Sequence, residues 1–243
     1  MVKTLMIDCY HWSFILKNMI MKKIVLVGLG LVFGLSSAQI NIQFENTRFG
    51  VSGGVNYSGV KNAHNPSGKR LGFQVGALAL IPADNDDQLY LQPEIQYYQA
   101  GETGYTKKGG GDKNTKYYND YISVPIYVKG YFSEAESEFF GMFGPRFNFL
   151  INQTVESPSR QVYTIEGNDP RYPHLNGKAS SFNFGLGVGL GFSYKRQLEV
   201  AVKYDLGLSN TYRNMVESYT GDLNTEKKKS EQVLSVTLNY IFE

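Results

Sequence analysis

LSVTLNYIF, residues 234–242, alternates apolar and polar side chains almost to the end of the chain. Leu234, Val236, Leu238, Tyr240 and Phe242 share one face, while Ser235, Thr237 and Asn239 share the other. A period of two belongs to a β-strand whose faces meet different surroundings. Such a strand, with an aromatic residue next to last and an export signal at the opposite end, points to a β-barrel of the bacterial outer membrane.

The signal is the apolar run 24–35, which follows Met21, Lys22 and Lys23 and leads into Ser36, Ser37 and Ala38. This is the charged, greasy and small-residue order of a secretory leader. The run is shorter than the roughly 20 residues a membrane helix needs. A dinucleotide loop is the alternative reading, but Gly28, Gly30 and Gly34 do not make GxGxxG and no βαβ pattern follows. The expected division is residues 1–20 as an upstream mis-start or signal extension, 21–38 as signal peptide and 39–243 as the barrel domain.

Cleavage after Ala38 would remove Cys9 and Trp12, the sole cysteine and tryptophan of the chain. It would also remove Lys3, Lys17, Lys22, Lys23 and Asp8, taking 24 basic and 22 acidic residues to 20 and 21, and the net charge from +2 to −1. A basic nucleic-acid-binding protein is therefore not indicated, and a mature chain without cysteine has no disulfide or thiol chemistry. Glycine (26), tyrosine (18) and phenylalanine (15) are abundant, yet the mean hydropathy is negative. Lipid-facing helices cannot look like this. A membrane barrel can, because only alternate residues meet lipid and the backbone hydrogen bonds close between strands.

Eight segments carry the alternation: 48–57, 71–81, 89–99, 121–132, 139–150, 182–194, 198–208 and 234–242. The sixth is the cleanest, with Phe182, Phe184, Leu186, Val188, Leu190 and Phe192 set against Asn183, Gly185, Gly187, Gly189, Gly191 and Ser193. In the second, Leu71, Phe73, Val75, Ala77, Ala79 and Ile81 are the outward candidates. Each segment approximates the 9 to 11 residues of a tilted membrane strand. Short turns at 82–88, 133–138 and 195–197 alternate with four longer connections, especially 151–181 and 209–233. The fold expected is all-β, an eight-stranded antiparallel up-and-down transmembrane barrel with both termini periplasmic and the long loops extracellular. Helix should be minor and confined to loops or the N-terminal segment. Pro93, Pro125 and Pro145 fall inside predicted strands, so bulges or broken ladders are expected near them.

A soluble lipocalin-like barrel also alternates, with its oily face inward, so the opposite face must decide. In the sixth segment that face is Asn183, four glycines and Ser193, a poor solvated exterior that makes room in a crowded lumen. Elsewhere it carries Gln92, Glu94, Gln96, Lys129, Arg146, Glu199, Lys203 and Asp205. An eight-stranded interior is just wide enough for side chains to fill. Glu94, Arg146, Lys203, Asp205, Glu199 and Lys129 are therefore expected to form a structural polar network that blocks a water channel, with Glu94 paired to Arg146 or Lys203. A proton or ligand relay is the alternative for these groups. Tyr90, Tyr97, Tyr98, Tyr117, Tyr118, Tyr121, Tyr194, Tyr204 and Tyr240 are expected to anchor at headgroup level, with sugar stacking as the other reading.

LQPEIQYYQAG (91–101), YISVPIYVKGYF (121–132), GPRFNFL (144–150), FNFGLGVGLGFSY (182–194) and VKYDLGLSN (202–210) run in order over the mature chain. On these stretches the chain resembles the PorT-like outer-membrane β-barrel proteins of the Bacteroidota. The resemblance implies an eight-stranded outer-membrane barrel with prolines on its motifs. It supplies no reaction, and it links some members to secretion. The final Glu243 departs from an ideal aromatic terminus.

Little in the chain looks catalytic. His64 and His174 both fall in predicted external loops, and an outer-membrane hydrolase would need His174 with partners such as Asp169 and Ser180. Asp84, Asp86 and Asp87 superficially suggest a calcium loop but lack its glycine and distal glutamate. Lys107, Lys108 and Gly109 to Gly111 suggest a phosphate cradle without its GK[ST] ending. Lys227 to Lys229 would suit anionic lipopolysaccharide, with a solvated basic run as the simpler reading. No catalytic, metal or cofactor residue is assigned. The expected function is a non-enzymatic barrel presenting extracellular loops for binding, envelope integrity or a secretion-linked role. A narrow channel for small solutes is the alternative and an outer-membrane hydrolase the third reading. Expected partners are outer-membrane lipid and lipopolysaccharide, the barrel-assembly machinery and an envelope protein. The assigned faces imply that Val188→Arg impairs assembly and that Gly187→Ser is milder.

Overall fold

The structure, a computed structural model, describes residues 42–63, 67–104, 115–158, 161–215 and 227–242. The leader at 21–38, Cys9, Trp12, His64, the 107–111 run and Glu243 lie outside these residues. Eight long strands follow in order: β1 (Arg48–Lys61), β2 (Arg70–Pro82), β3 (Leu89–Gly104), β4 (Lys116–Tyr131), β5 (Glu138–Glu156), β6 (Phe182–Tyr194), β7 (Leu198–Gly207) and β8 (Ser230–Ile241). A two-residue strand, Ser67–Gly68, pairs with the far end of β3.

Each strand is antiparallel to the next, and β8 returns to β1 with Gly50 opposite Ile241 and Lys61 opposite Ser230. The terminal alternating stretch is therefore the stave that closes an eight-stranded up-and-down barrel. Closure leaves no row of unpaired amides and carbonyls facing hydrocarbon. Helix among the described residues is limited to two 3-10 turns, Phe44–Asn46 before β1 and Gln161–Tyr163 in the β5–β6 connection.

Alternation places the faces as the residue chemistry demands. Phe49, Val51, Val55, Leu71, Phe73, Ile95, Phe143, Leu190, Val202 and Leu238 are exposed on the outside, while Ser52, Asn56, Gln74, Gln92, Gln96, Ser235, Thr237 and Asn239 are buried within. A soluble barrel with an oily interior is thereby excluded. Ile81 breaks the outward pattern at 8% exposure. Its neighbour Pro82 accepts the Gln43 N–H at 3.0 Å, so the segment before β1 lies against this end of β2.

Strands β1, β3, β4, β5 and β8 run several residues past their predicted ends, always toward the long connections. The added stretches carry mostly polar outward residues, such as Lys116, Asn152, Thr154 and Glu156, the chemistry expected of strand ends that reach beyond lipid. Alternation of lipid contact stops there, although hydrogen bonding continues. A register shift at Asp120/Tyr121 marks a bulge at Ile151, where Asp120 faces Asn152 and Tyr121 faces Leu150.

The three strand prolines interrupt the ladder without changing its register. Pairing lapses between Leu78↔Glu94 and Ile81↔Leu91, between Pro93↔Ile126 and Gln96↔Ser123, and between Pro125↔Arg146 and Val128↔Phe143. Missing N–H donors thus give local gaps, and the bulge lies elsewhere.

The inward glycines of β6 are recesses for bulky neighbours. A Cβ on Gly191 would stand 2.3 Å from the Phe140 ring, one on Gly189 3.0 Å from Met142, and one on Gly187 2.7 Å from Asp205 Oδ1 and 2.8 Å from Tyr127. Gly187→Ser therefore carries a packing cost that alternation alone does not show, while staying milder than Val188→Arg. It should lower stability by about 1 to 3 kcal/mol through overpacking. Val188, 56% exposed on the outer face, should lose about 2 to 4 kcal/mol on replacement by arginine near mid-membrane. Gly53→Ser, outward with open space to 4.0 Å, should leave stability unchanged. Urea unfolding of the three variants in lipid vesicles checks all three values.

Candidate functional site

The lumen is the candidate site, because it gathers the charged side chains that a membrane protein would otherwise avoid. All six sequence-derived network residues point into it, each at most 5% exposed. Three ion pairs form. Glu94 on β3 meets Lys203 on β7 at 3.3 Å, Lys129 on β4 meets Glu199 on β7, and Arg146 on β5 has Nε 3.2 Å from Asp205 Oδ1 on β7. Every pair has one partner on β7, where Glu199, Lys203 and Asp205 alternate inward. Glu94 thus pairs with Lys203 and not with Arg146.

Aromatic rings back each cation. Lys203 Nζ lies 5.0 Å from the Tyr127 ring centre, Lys129 Nζ 4.2 Å from Phe140, and the Arg146 guanidinium 4.5 Å from Tyr98. Tyr131 donates its hydroxyl proton to Glu199 at 2.7 Å, and Arg146 donates to the Tyr127 hydroxyl at 3.1 Å. Gln92 and Gln96 donate side-chain N–H groups to Glu94. Desolvated charges persist only with this much local compensation. Arg146 and Asp205 are less complete, since their 3.2 Å approach lacks the alignment of a hydrogen bond.

Tyr90, Tyr98, Tyr117 and Tyr121 are buried in the interior, which corrects the expectation that they anchor at headgroup level. A tyrosine suits either face, having an apolar ring and a polar tip; strand parity decides, and these four share parity with Glu94 or Lys129. Tyr194, Tyr204 and Tyr240 do lie on the outer surface. Sequence reading also missed Arg70, Glu102, Glu138 and Glu231, all buried. They sit at strand ends beyond the predicted segments, although extending the period by one or two steps would have found them.

Packed layers close the lumen at both ends. On the short-turn side, Leu78, Leu80, Tyr90, Tyr127, Tyr131, Phe140, Met142, Ala201 and Ile241 form one cluster. Arg196, from the β6–β7 turn, lies over Tyr131 and pairs with Glu138 at 2.7 Å. On the long-loop side, residues 161–181 and 208–215 of the two longest connections fold over the mouth. Val162, Tyr163, Leu175, Ala179, Tyr212 and Met215 from these connections pack on Val60, Ala63 and Tyr117. The Tyr117 hydroxyl donates to the Tyr163 carbonyl at 2.8 Å, and Asn119 donates to the Tyr212 hydroxyl at 2.8 Å. Asn176 N–H bonds the Asn214 carbonyl, and Ser180 N–H the Thr211 carbonyl. Between these ends, a cavity of about 20 Å³ beside Arg146, Asp205 and Glu231 has room for one water.

The hydrolase set does not assemble. Asp169 is engaged by Arg171 at 3.2 Å, whose hydrogen bonds hold its carboxyl below the ordinary range. Ser180 donates to the Asn210 carbonyl at 2.7 Å, and His174 is exposed. Asp84 accepts the N–H groups of Gln88 and Leu89 at 3.1 and 2.8 Å, shaping the turn. Among the described residues no cluster of three His, Cys, Asp or Glu side chains is placed to hold a metal ion. The 227–229 run is split, with Lys227 and Lys228 exposed and Lys229 buried, its ammonium bonded to the Lys227 carbonyl at 3.1 Å.

Lys203→Met should destabilise the barrel by about 3 to 5 kcal/mol, because Glu94 is left as an uncompensated buried charge. Adding Glu94→Gln to that variant should restore most of the loss. Guanidinium unfolding in vesicles distinguishes this coupling from simple additivity.

Comparison with known proteins comes down to one family and several solved barrels. A family model described as an outer membrane protein beta-barrel domain matches residues 29–213. The solved neisserial surface protein NspA is 19% identical, with 80% of this chain and 97% of that one covered and a TM-score of 0.39. OprG of Pseudomonas aeruginosa is 13% identical, covering 81% and 94% at a TM-score of 0.40. A major outer membrane protein of Thermus thermophilus is 16% identical, covering 81% and 100% at 0.42. No curated protein matches the chain.

Proposed function

The chain belongs to the outer membrane protein beta-barrel domain family, and we propose that it is a non-enzymatic, sealed barrel whose long-loop end is a packed binding platform. Its place is the bacterial outer membrane. The observation that carries the reading is the filled lumen, with three ion pairs between apolar layers at both ends. A narrow-solute channel needs a continuous wet path, and the side chains packed across the lumen toward both ends weigh against it. A hydrolase needs a nucleophile, base and orienting group within reach, and Asp169 and Ser180 are engaged elsewhere.

In this reading the long loops face the medium and both termini the periplasm, the arrangement that short turns on one side and long connections on the other favour. The PorT-like motif order supports a finer placement within the Bacteroidota barrels and a role in envelope integrity or secretion. The partners are the assembly machinery that inserts the barrel and an envelope protein that meets the loop platform. Such a platform differs from free loops because residues 161–181 and 208–215 share a core.

Planar-bilayer recording of the purified barrel should show no stable single-channel steps; reproducible unitary conductance would transfer the protein to the transport class. Orientation has its own measurement. Cysteine introduced by Lys178→Cys should react with a membrane-impermeant maleimide on intact cells, whereas Glu134→Cys should react only after lysis. The reverse labelling would invert the barrel.

A further inference from the structure

Three lysines collect on one wall of the barrel just above its apolar band. On that wall Leu71, Tyr57 and Leu234 stand side by side on β2, β1 and β8, and all three are exposed outward. They are the last apolar row before the loops. The next outward position on β1 is Gly59, and the Lys69 side chain lies across it, with Nζ 3.1 Å from where a Cβ would stand. One step further Lys61 faces Ser230. Lys228 adjoins them, its carbonyl accepting the Asn62 side-chain N–H at 2.9 Å.

Lys61, Lys69 and Lys228 are all exposed, and none of their ammonium groups has an ion-pair partner among the described residues. Elsewhere on the same end, Lys116 is paired with Glu156 and Arg171 with Asp169. The outward positions of this wall above the apolar row are Gly59, Lys61, Lys69, Ser230 and Gln232, with no acid among them. The nearby carboxylates of Glu102 and Glu231 are buried.

Depth adds a second constraint. Outward positions on a strand are separated by roughly 7 Å along it, less when projected on the normal of the bilayer because barrel strands tilt. The headgroup layer on each side is roughly 5 to 7 Å thick. Lys69 and Lys61 therefore hold their charges at the level where lipid phosphates lie, with stems able to run along the apolar wall. A glycine at 59 leaves the groove in which Lys69 rests.

We infer that Lys61, Lys69 and Lys228 form a binding patch for the phosphates of an anionic outer-leaflet glycolipid of the lipid A type, whose acyl chains run down the Leu71–Tyr57–Leu234 wall. This deepens the proposed orientation by naming the lipid that the loop end meets in cells. Binding in micelles is read without any orientation, so its failure and a reversed labelling pattern are separate results.

Native mass spectrometry of the refolded chain in detergent micelles tests the patch, with bis-phosphorylated lipid A and its dephosphorylated form as probes. The wild-type barrel should retain the phosphorylated form in preference. At about fivefold per juxtamembrane lysine, the Lys61→Gln/Lys69→Gln/Lys228→Gln variant should bind it about a hundredfold more weakly. Lys178→Gln/Arg213→Gln, which removes charge elsewhere on the same end, should retain it. Heat-modifiable gel mobility reports that every variant is folded. Equal retention of both lipid forms, undiminished retention by the triple variant, or equal loss in the control variant overturns the patch. Displacement by inorganic phosphate as effective as displacement by the lipid itself overturns the lipid as its occupant.

Discussion

A peptide group inside hydrocarbon has no water to bond, and this constraint fixes nearly everything else in the molecule. Eight strands meet it by pairing around a ring, and β8 completes the ring against β1 over twelve matched positions from Gly50↔Ile241 to Lys61↔Ser230. Once the ring is closed, every second side chain must face lipid and every other one must fit inside a narrow tube. The outer face then selects itself as phenylalanine, leucine, valine and isoleucine. The inner face has the harder task, because its polar groups lose water without gaining a solvent.

Charge, ring and recess together solve the inner problem. Lys129, Arg146 and Lys203 each have a carboxylate and an aromatic face, and the β6 glycines give up volume to Phe140, Met142 and Tyr127. The exposed ends of the tube are treated differently. Apolar and aromatic side chains pack there, and the long connections add a small core of their own around Tyr117, Tyr163 and Tyr212. The result is a stave-and-filler construction, with side chains packed across the tube toward both of its ends.

Legibility in the sequence followed the physics of contact with lipid. Where residues alternate between lipid and lumen, as in 182–194, the strand bounds could be read to the residue. Beyond the lipid, the outward side chains no longer need to be greasy, so in the added lengths of β3, β4 and β5 only the inward half of the period remains to be read. Glu102 and Glu231 went unread as lumen residues for that reason. Tyr90, Tyr98, Tyr117 and Tyr121 lie near strand ends, where an amphipathic ring suits the headgroup level, but strand parity turns them inward. The convergence on β7 was half visible: Glu199, Lys203 and Asp205 announced an inward charged face, but the pairing across the tube depends on stagger between strands, which no single strand encodes. The folded-over loops were invisible, since Val162, Leu175 and Met215 show no period.

Because Glu94, Lys129 and Arg146 all find their counterions on the seventh strand, a nascent sheet of six strands would carry three stranded charges toward the bilayer. Such a fragment has no comfortable resting place in lipid. Neutralisation of the lumen therefore waits on the seventh strand, which couples the early hairpins to the last part of the polypeptide.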